Sequence, residues 1–215
     1  MGVMDQAGQV ERVEKLLALD PARVAVLLVD FQRDFCGAAS GTDNNARTAL
    51  RANGFAARAA LLGVRVIYAQ QVLDGQRLTR RQQRWEQEGG LCAAGSPGAE
   101  LFVAPVPGSR VVRKDRFDVW QSREFLDVLA EWDIDGLVIG GVELQCCVLH
   151  AVLGAEERGF HYVVPQDLVS GIDSCDDTSN RVVRDYLRFA HPSLESAQDL
   201  VDGWRSSVGA EGSRR

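Results

Sequence analysis

The sequence predicts an α/β protein built on a mostly parallel, doubly wound sheet with helices on both faces. Three features predict it. Near-continuous apolar runs rich in Val suit strands buried on both faces, amphipathic helical segments alternate with them, and the intervals are long enough for helical crossovers. In such folds the carboxyl ends of the strands line one edge, where ligands bind.

Residues 7–20 carry Val10, Val13, Leu16, Leu17 and Leu19, the pattern of an amphipathic helix packing on the body as an accessory element. Pro21 then introduces RVAVLLVDF, the first strand, with Asp30 at its carboxyl end. The stretch from Asp43 to Leu62 is rich in Ala, Arg and Leu and predicts a helix capped by Asp43 and ended by Gly63. VRVIYA, residues 64–69, is the second strand and completes one βαβ unit. Residues 70–109 are punctuated by Gly and Pro, an irregular insertion that inside a domain suits a functional lid better than a linker. Within it Arg77, Arg80, Arg81 and Arg84 are spaced so that most share a helical face, either as solvated surface or as a clamp for a substrate carboxylate.

VVRK, residues 111–114, is a short third strand ending in Lys114. Ser122 caps a helix to Trp132 with Phe125, Leu126, Val128 and Leu129 as its apolar stripe. GLVIGG is the fourth strand, and a cysteine-bearing helix follows to Arg158 and stops at Gly159. FHYVVP is the fifth strand, and a last helix over 176–189 turns Val182, Val183, Tyr186 and Leu187 inward. Residues 1–209 are expected to form one domain, and 210–215 a flexible tail.

With 215 residues, 46% of them hydrophobic, the chain can bury one sizeable core. A net charge of -6 argues against nucleic acid as a partner, since that binding needs clustered cations. Five cysteines, an odd number in a chain this long, suit free thiols in a reducing compartment better than a disulfide framework. The N-terminus has no apolar signal core and no run is long enough to span a bilayer, so a cytoplasmic protein without a membrane partner is expected. No G-x-G-x-x-G follows the first strand and no P-loop occurs, which argues against a dinucleotide or nucleoside triphosphate site.

Asp30, Lys114 and the Cys146-Cys147 pair therefore meet at the carboxyl end of the sheet. An acid, an amine and a thiol are the parts of a nucleophilic site: a cation and a helix N-terminus favour the thiolate, the carboxylate takes its proton, and backbone N–H groups of the turn hold an oxyanion.

Three motifs add a resemblance. V-D-F-Q-x-D-F at 29–35, VVRKDRFDVW around Lys114, and G-V followed by four residues and C-V at 141–148 are similar to the isochorismatase-like cysteine hydrolase superfamily, outside its nicotinamidase branch, over about Val24 to Val169. The resemblance implies a Rossmann-like three-layer α/β/α sandwich and a catalytic triad of Asp30, Lys114 and Cys147, with Cys146 turned into packing. It implies a cis peptide at Val142-Glu143 that aims backbone N–H groups at the substrate oxygen, and substrate-binding positions at Phe35, Gln71, Trp120 and Leu144. It also implies a small-molecule substrate and a homo-oligomer, dimer or tetramer. The expected activity is metal-independent hydrolysis of a small amide, carbamoyl or ureido compound. The alternatives are a vinyl ether hydrolase of the isochorismatase type and a noncatalytic, redox-sensing member.

This chain departs from the family pattern at three places. Leu144 stands where the family has Thr, and Asp118, Val119 and Trp120 where it has Ser-Ala-Phe. After the second strand, AQQVLDG replaces a metal-binding segment with two histidines, and Gln70, Gln71 and Asp74 do not make such a site. His150, His161 and His191 lack metal-ligand spacing, so no metal and no cofactor are expected.

Overall fold

The computed structural model describes residues 6–37, 43–75, 78–87, 90–171 and 178–212. Its strands are Val24–Val29 (β1), Arg65–Gln71 (β2), Arg110–Lys114 (β3), Gly136–Gly141 (β4), His161–Pro165 (β5) and Ser193–Leu194 (β6). They pair in parallel throughout, in the order β3-β2-β1-β4-β5-β6. β1 is apolar and buried at every position, which places it in the middle.

The helices are Gln6–Leu17 (α1), Arg33–Cys36 (α2), Asp43–Ala60 (α3), Arg80–Gln87 (α4), Arg123–Glu131 (α5), Leu149–Glu157 (α6), Thr178–Ala190 (α7) and Gln198–Gly212 (α8). Alternation along β1 divides the core between two helical layers. Val24, Val26 and Leu28 pack with Leu16 of α1, Phe55 of α3 and Trp204 of α8. Ala25, Leu27 and Val29 pack with Phe125 of α5, Val152 of α6 and Leu187 of α7. The result is a Rossmann-like three-layer α/β/α sandwich. No helix among the described residues is long and apolar enough to cross a membrane.

The structure adds two elements beyond the expected last helix. β6 pairs with β5 through Val164 and Ser193, and α8 buries Leu200, Val201 and Trp204. α8 has few apolar positions and approaches α1 closely at Gly203, where a Cβ would stand 2.9 Å from Leu17 Cδ1. Its last turn also enters the expected tail; residues 213–215 lie outside the described residues, as does Arg77. The expected inner face of α7 is corrected: Leu187 is buried and Val183 packs against the core, but Val182 and Tyr186 are exposed. α7 lies on the sandwich by a narrow stripe, which apolar spacing alone does not locate.

Register decides which side chains meet at the site. Val29 lies opposite Ala69 and Gly141, and Gln71 lies opposite Lys114. Gly141 has φ 144°, and a Cβ there would stand 2.4 Å from Val29 O, so only glycine lets β4 end this close to β1.

Candidate active site

Asp30 leaves β1 with φ 56°, its N–H still donating to Ala69 O at 2.9 Å. That bend turns its carboxylate toward Lys114, whose Nζ lies 2.8 Å from Asp30 Oδ2. The same ammonium donates to Gln71 Oε1 at 3.0 Å and to Arg116 O at 3.0 Å, and stands 3.5 Å from Cys147 Sγ. Asp30, Lys114 and Cys147 are 0%, 3% and 4% exposed, so water screens their interaction little.

Burial sets the direction of each titration. It raises Asp30 above the usual carboxylate range, opposed chiefly by the charge of Lys114. It pushes the Cys147 thiol well above its ordinary value, assisted by Asp30 and opposed by Lys114. For Lys114 burial works against the charge, but Asp30 and Cys147 outweigh it and the ammonium is held more tightly than in water. Burial thus works against charge on both Asp30 and Cys147, while Lys114 between them holds its proton.

The thiol is delivered by the turn after β4. The Val142-Glu143 peptide bond is cis, a single π-helical turn spans Leu144–Val148, and α6 follows. Val142 N donates to Val29 O at 2.9 Å and Leu144 N to Ser170 O at 2.9 Å, which ties the turn to the end of β1 and to the loop after β5. Asn45, fully buried in the first turn of α3, joins three loops: its Nδ2 donates to Glu143 Oε1 at 2.8 Å and to Phe35 O at 3.0 Å, and its Oδ1 accepts from Ser170 Oγ at 2.7 Å.

Gln71 joins Asp30, Lys114 and Cys147, its Oε1 lying 3.9 Å from Cys147 Sγ. Gln32, also buried, bridges Gln71 N and O with its carboxamide at 2.8 Å each. Phe35 is half-buried on α2, and its backbone carbonyl is the part that meets Asn45. Leu144 and Trp120 pack in the same apolar layer as Cys147. Leu144 is 0% exposed and sits in the apolar core between the sheet and the α5–α7 layer. Trp120 donates from Nε1 to Ala151 O at 3.0 Å, meets Phe125 edge-on at 5.1 Å, and lies under the Arg158 guanidinium at 4.8 Å. Gly154 makes room for that indole. Both are core residues because their local turns face the helical layer, a direction that motif position does not specify.

Cys146 is half-buried, with its thiol pushed up by burial and Glu143. Its carbonyl lies 2.7 Å from His150 Nδ1. Gln32, Asn45 and Ser170 went unnoticed in the sequence. Gln32 had one signal, its place two residues after Asp30 in V-D-F-Q; Asn45 and Ser170 had none, since their partners are remote in the chain. A cavity of about 410 Å³ lies beside the end of β3, lined by Lys114, Asp115, Glu124 and others, but neither Asp30 nor Cys147 borders it.

The model of the isochorismatase domain matches residues 24–193. No curated protein matches the chain. Among solved structures, a cysteine hydrolase from Pseudomonas syringae pv. phaseolicola 1448A is 20% identical with a TM-score of 0.76, covering 87% of this chain and 95% of its own. An isochorismatase family protein from Desulfovibrio vulgaris subsp. vulgaris str. Hildenborough is 26% identical with a TM-score of 0.68, over 77% and 90%. N-carbamoylsarcosine amidase from Thermoplasma acidophilum is 19% identical with a TM-score of 0.64, over 80% and 94%.

Proposed function

The chain belongs to the isochorismatase family, and we propose that it is a metal-independent cysteine hydrolase cleaving a C–N bond of a small amide, carbamoyl or ureido compound. One observation carries the reading: a buried thiol 3.5 Å from an ammonium that is itself 2.8 Å from a buried carboxylate, all at the carboxyl end of a parallel sheet. That the fold also serves an amidase, the Thermoplasma protein, agrees with it.

Asp30 takes the thiol proton as Cys147 Sγ attacks the substrate carbonyl and forms the C–S bond. Backbone N–H groups of the Glu143–Cys147 turn hold the oxyanion that results. Collapse breaks the C–N bond, and Asp30 returns its proton to the departing ammonia or amine. Water, deprotonated by Asp30, then attacks the thioester; the C–S bond breaks, the acid leaves, and the proton returns to sulfur. Lys114 keeps carboxylate and thiolate in register, and Gln71 orients Lys114 through its Oε1.

The test is ammonia release across small amides, ureido acids and carbamoyl compounds. Cys147→Ala is expected to lower turnover by about 10³-fold or more with the circular dichroism unchanged, and Cys146→Ala to leave it within about threefold. Ammonia release that survives in Cys147→Ala would remove the nucleophile, and pyruvate release from a vinyl ether substrate in that variant would favour the isochorismatase-type reaction instead.

A further inference from the structure

The insertion between β2 and β3 brings a helix over the nucleophile turn. Gln82 of α4 is buried and donates from Nε2 to Asp115 O at 2.6 Å, one residue after the catalytic lysine. Trp85, one turn on, packs against Phe117 at 5.7 Å between ring centres. Phe117 packs in turn against His150 at 6.1 Å, and His150 reaches the carbonyl of Cys146. Residues 82 and 85 thus face the body, and Arg80 and Arg84 project away from it.

Arg81 lies at the border of the inner face. Its guanidinium stacks over the Trp85 ring at 4.8 Å, on the side of the helix that carries Gln82. Among the described residues, no carboxylate lies within ion-pair distance of Arg80, Arg81 or Arg84, although the chain as a whole is acidic. Arg81 also opposes the upward shift of the Cys146 thiol, which puts its charge within electrostatic reach of the turn. The acidic side chain of that turn, Glu143, offers its Oε1 to Asn45. An exposed guanidinium stacked over an indole, on a helix that packs through Phe117 and His150 toward the Cys146-Cys147 turn, is preorganised for a planar anion.

We propose that Arg81 binds a carboxylate of the substrate, so that the compounds hydrolysed are amides or ureido compounds carrying a carboxylate. This rests on Cys147 being the nucleophile. Arg80 and Arg84 add a weaker, outward field that salt screens.

Alkylation of Cys147 separates the two ideas without a known substrate. Iodoacetamide and iodoacetate react alike: sulfur forms a bond to the CH₂ carbon, the C–I bond breaks, iodide leaves, and the thiol proton passes to Asp30. Only iodoacetate carries the carboxylate. Rates at Cys147 are read by peptide mass spectrometry in the full-length chain, in Arg81→Gln, and in Arg84→Gln. Arg81→Gln is expected to slow iodoacetate about fivefold or more, the scale of one charge contact at 4 Å in water, with iodoacetamide changing less than about twofold. Arg84→Gln should change either rate less than about twofold. If Cys147 is labelled but Arg81→Gln leaves the ratio of the two rates unchanged, the carboxylate inference is overturned and the nucleophile stands. If iodoacetamide does not label Cys147 at all, both are overturned.

Discussion

Lys114→Met removes the cation from a site that keeps its carboxylate buried. The Nζ to Oδ2 distance is 2.8 Å, and a broken buried ion pair typically destabilises a protein by about 3–5 kcal/mol. Protonation of Asp30 limits the loss. Neutralising a carboxylate whose unfolded pKa is near ~3.9 takes about 1.4 kcal/mol per pH unit above that value, roughly 4 kcal/mol at pH 7 and roughly 1.5 at pH 5. The sign follows from proton counting: with its folded pKa raised, Asp30 binds more proton in the folded than in the unfolded state, so the variant loses stability as pH rises from about 4. The variant should therefore melt about 6–16 °C below the parent at pH 7, and less than half as far below it at pH 5. The assay is guanidinium chloride unfolding followed by tryptophan fluorescence, with thermal melts at both pH values. Asp30→Asn combined with Lys114→Met should recover most of the loss at pH 7, since neither charge remains. A deficit independent of pH, or a double variant no more stable than the single one, would refute the ion-pair account.

Gly154→Ala tests the packing of Trp120. Helix propensity alone favours Ala by about 1 kcal/mol, but the new Cβ would stand 2.1 Å from Trp120 Cδ1 and 2.3 Å from its Nε1. A rigid ring must move and give up Ala151 O, so a net loss of about 1–3 kcal/mol is expected; an unchanged or raised melting temperature would contradict it. His191 tests a second buried site. Its Nδ1 lies 2.6 Å from the Tyr162 hydroxyl, which donates to Glu156, the partner of Arg12. Burial, helped by Arg12, lowers the His191 pKa against the pull of Glu156. Its stability contribution is therefore fully present above the unfolded value near ~6.5 and is lost as pH falls below it. The fall in melting temperature from pH 7.5 to 5 should be smaller in His191→Gln than in the parent; equal falls would exclude His191 as the source.

The sheet was legible because its strands are self-evident as apolar runs: RVAVLLV could be little else than a doubly buried strand. Asp30, Lys114 and the cysteine pair could be placed at one edge because parallel strands all end there. What lay beyond reach was direction. Trp120 and Leu144 are buried in the apolar layer that also holds Cys147, and motif position does not say which way either side chain turns. α8 escaped because its buried stripe is only Leu200, Val201 and Trp204, a pattern too brief to distinguish from chance. Gln32 and Asn45 escaped for another reason, since a buried carboxamide is defined by partners such as Glu143, 98 residues away.

Asn45 has a consequence for how this scaffold can diversify. Enzymes on doubly wound sheets change specificity by varying the loops beyond their strands, and loops that touch only the sheet can vary one at a time. Here the segment after β1, the turn after β4 and the loop after β5 converge on a single carboxamide through Phe35 O, Glu143 Oε1 and Ser170 Oγ. Lengthening any one of them would leave part of that buried carboxamide without its partner. The tolerant place for insertion is the stretch between β2 and β3, which Asn45 does not hold, and that is where this chain carries its long segment with the arginine-bearing helix α4.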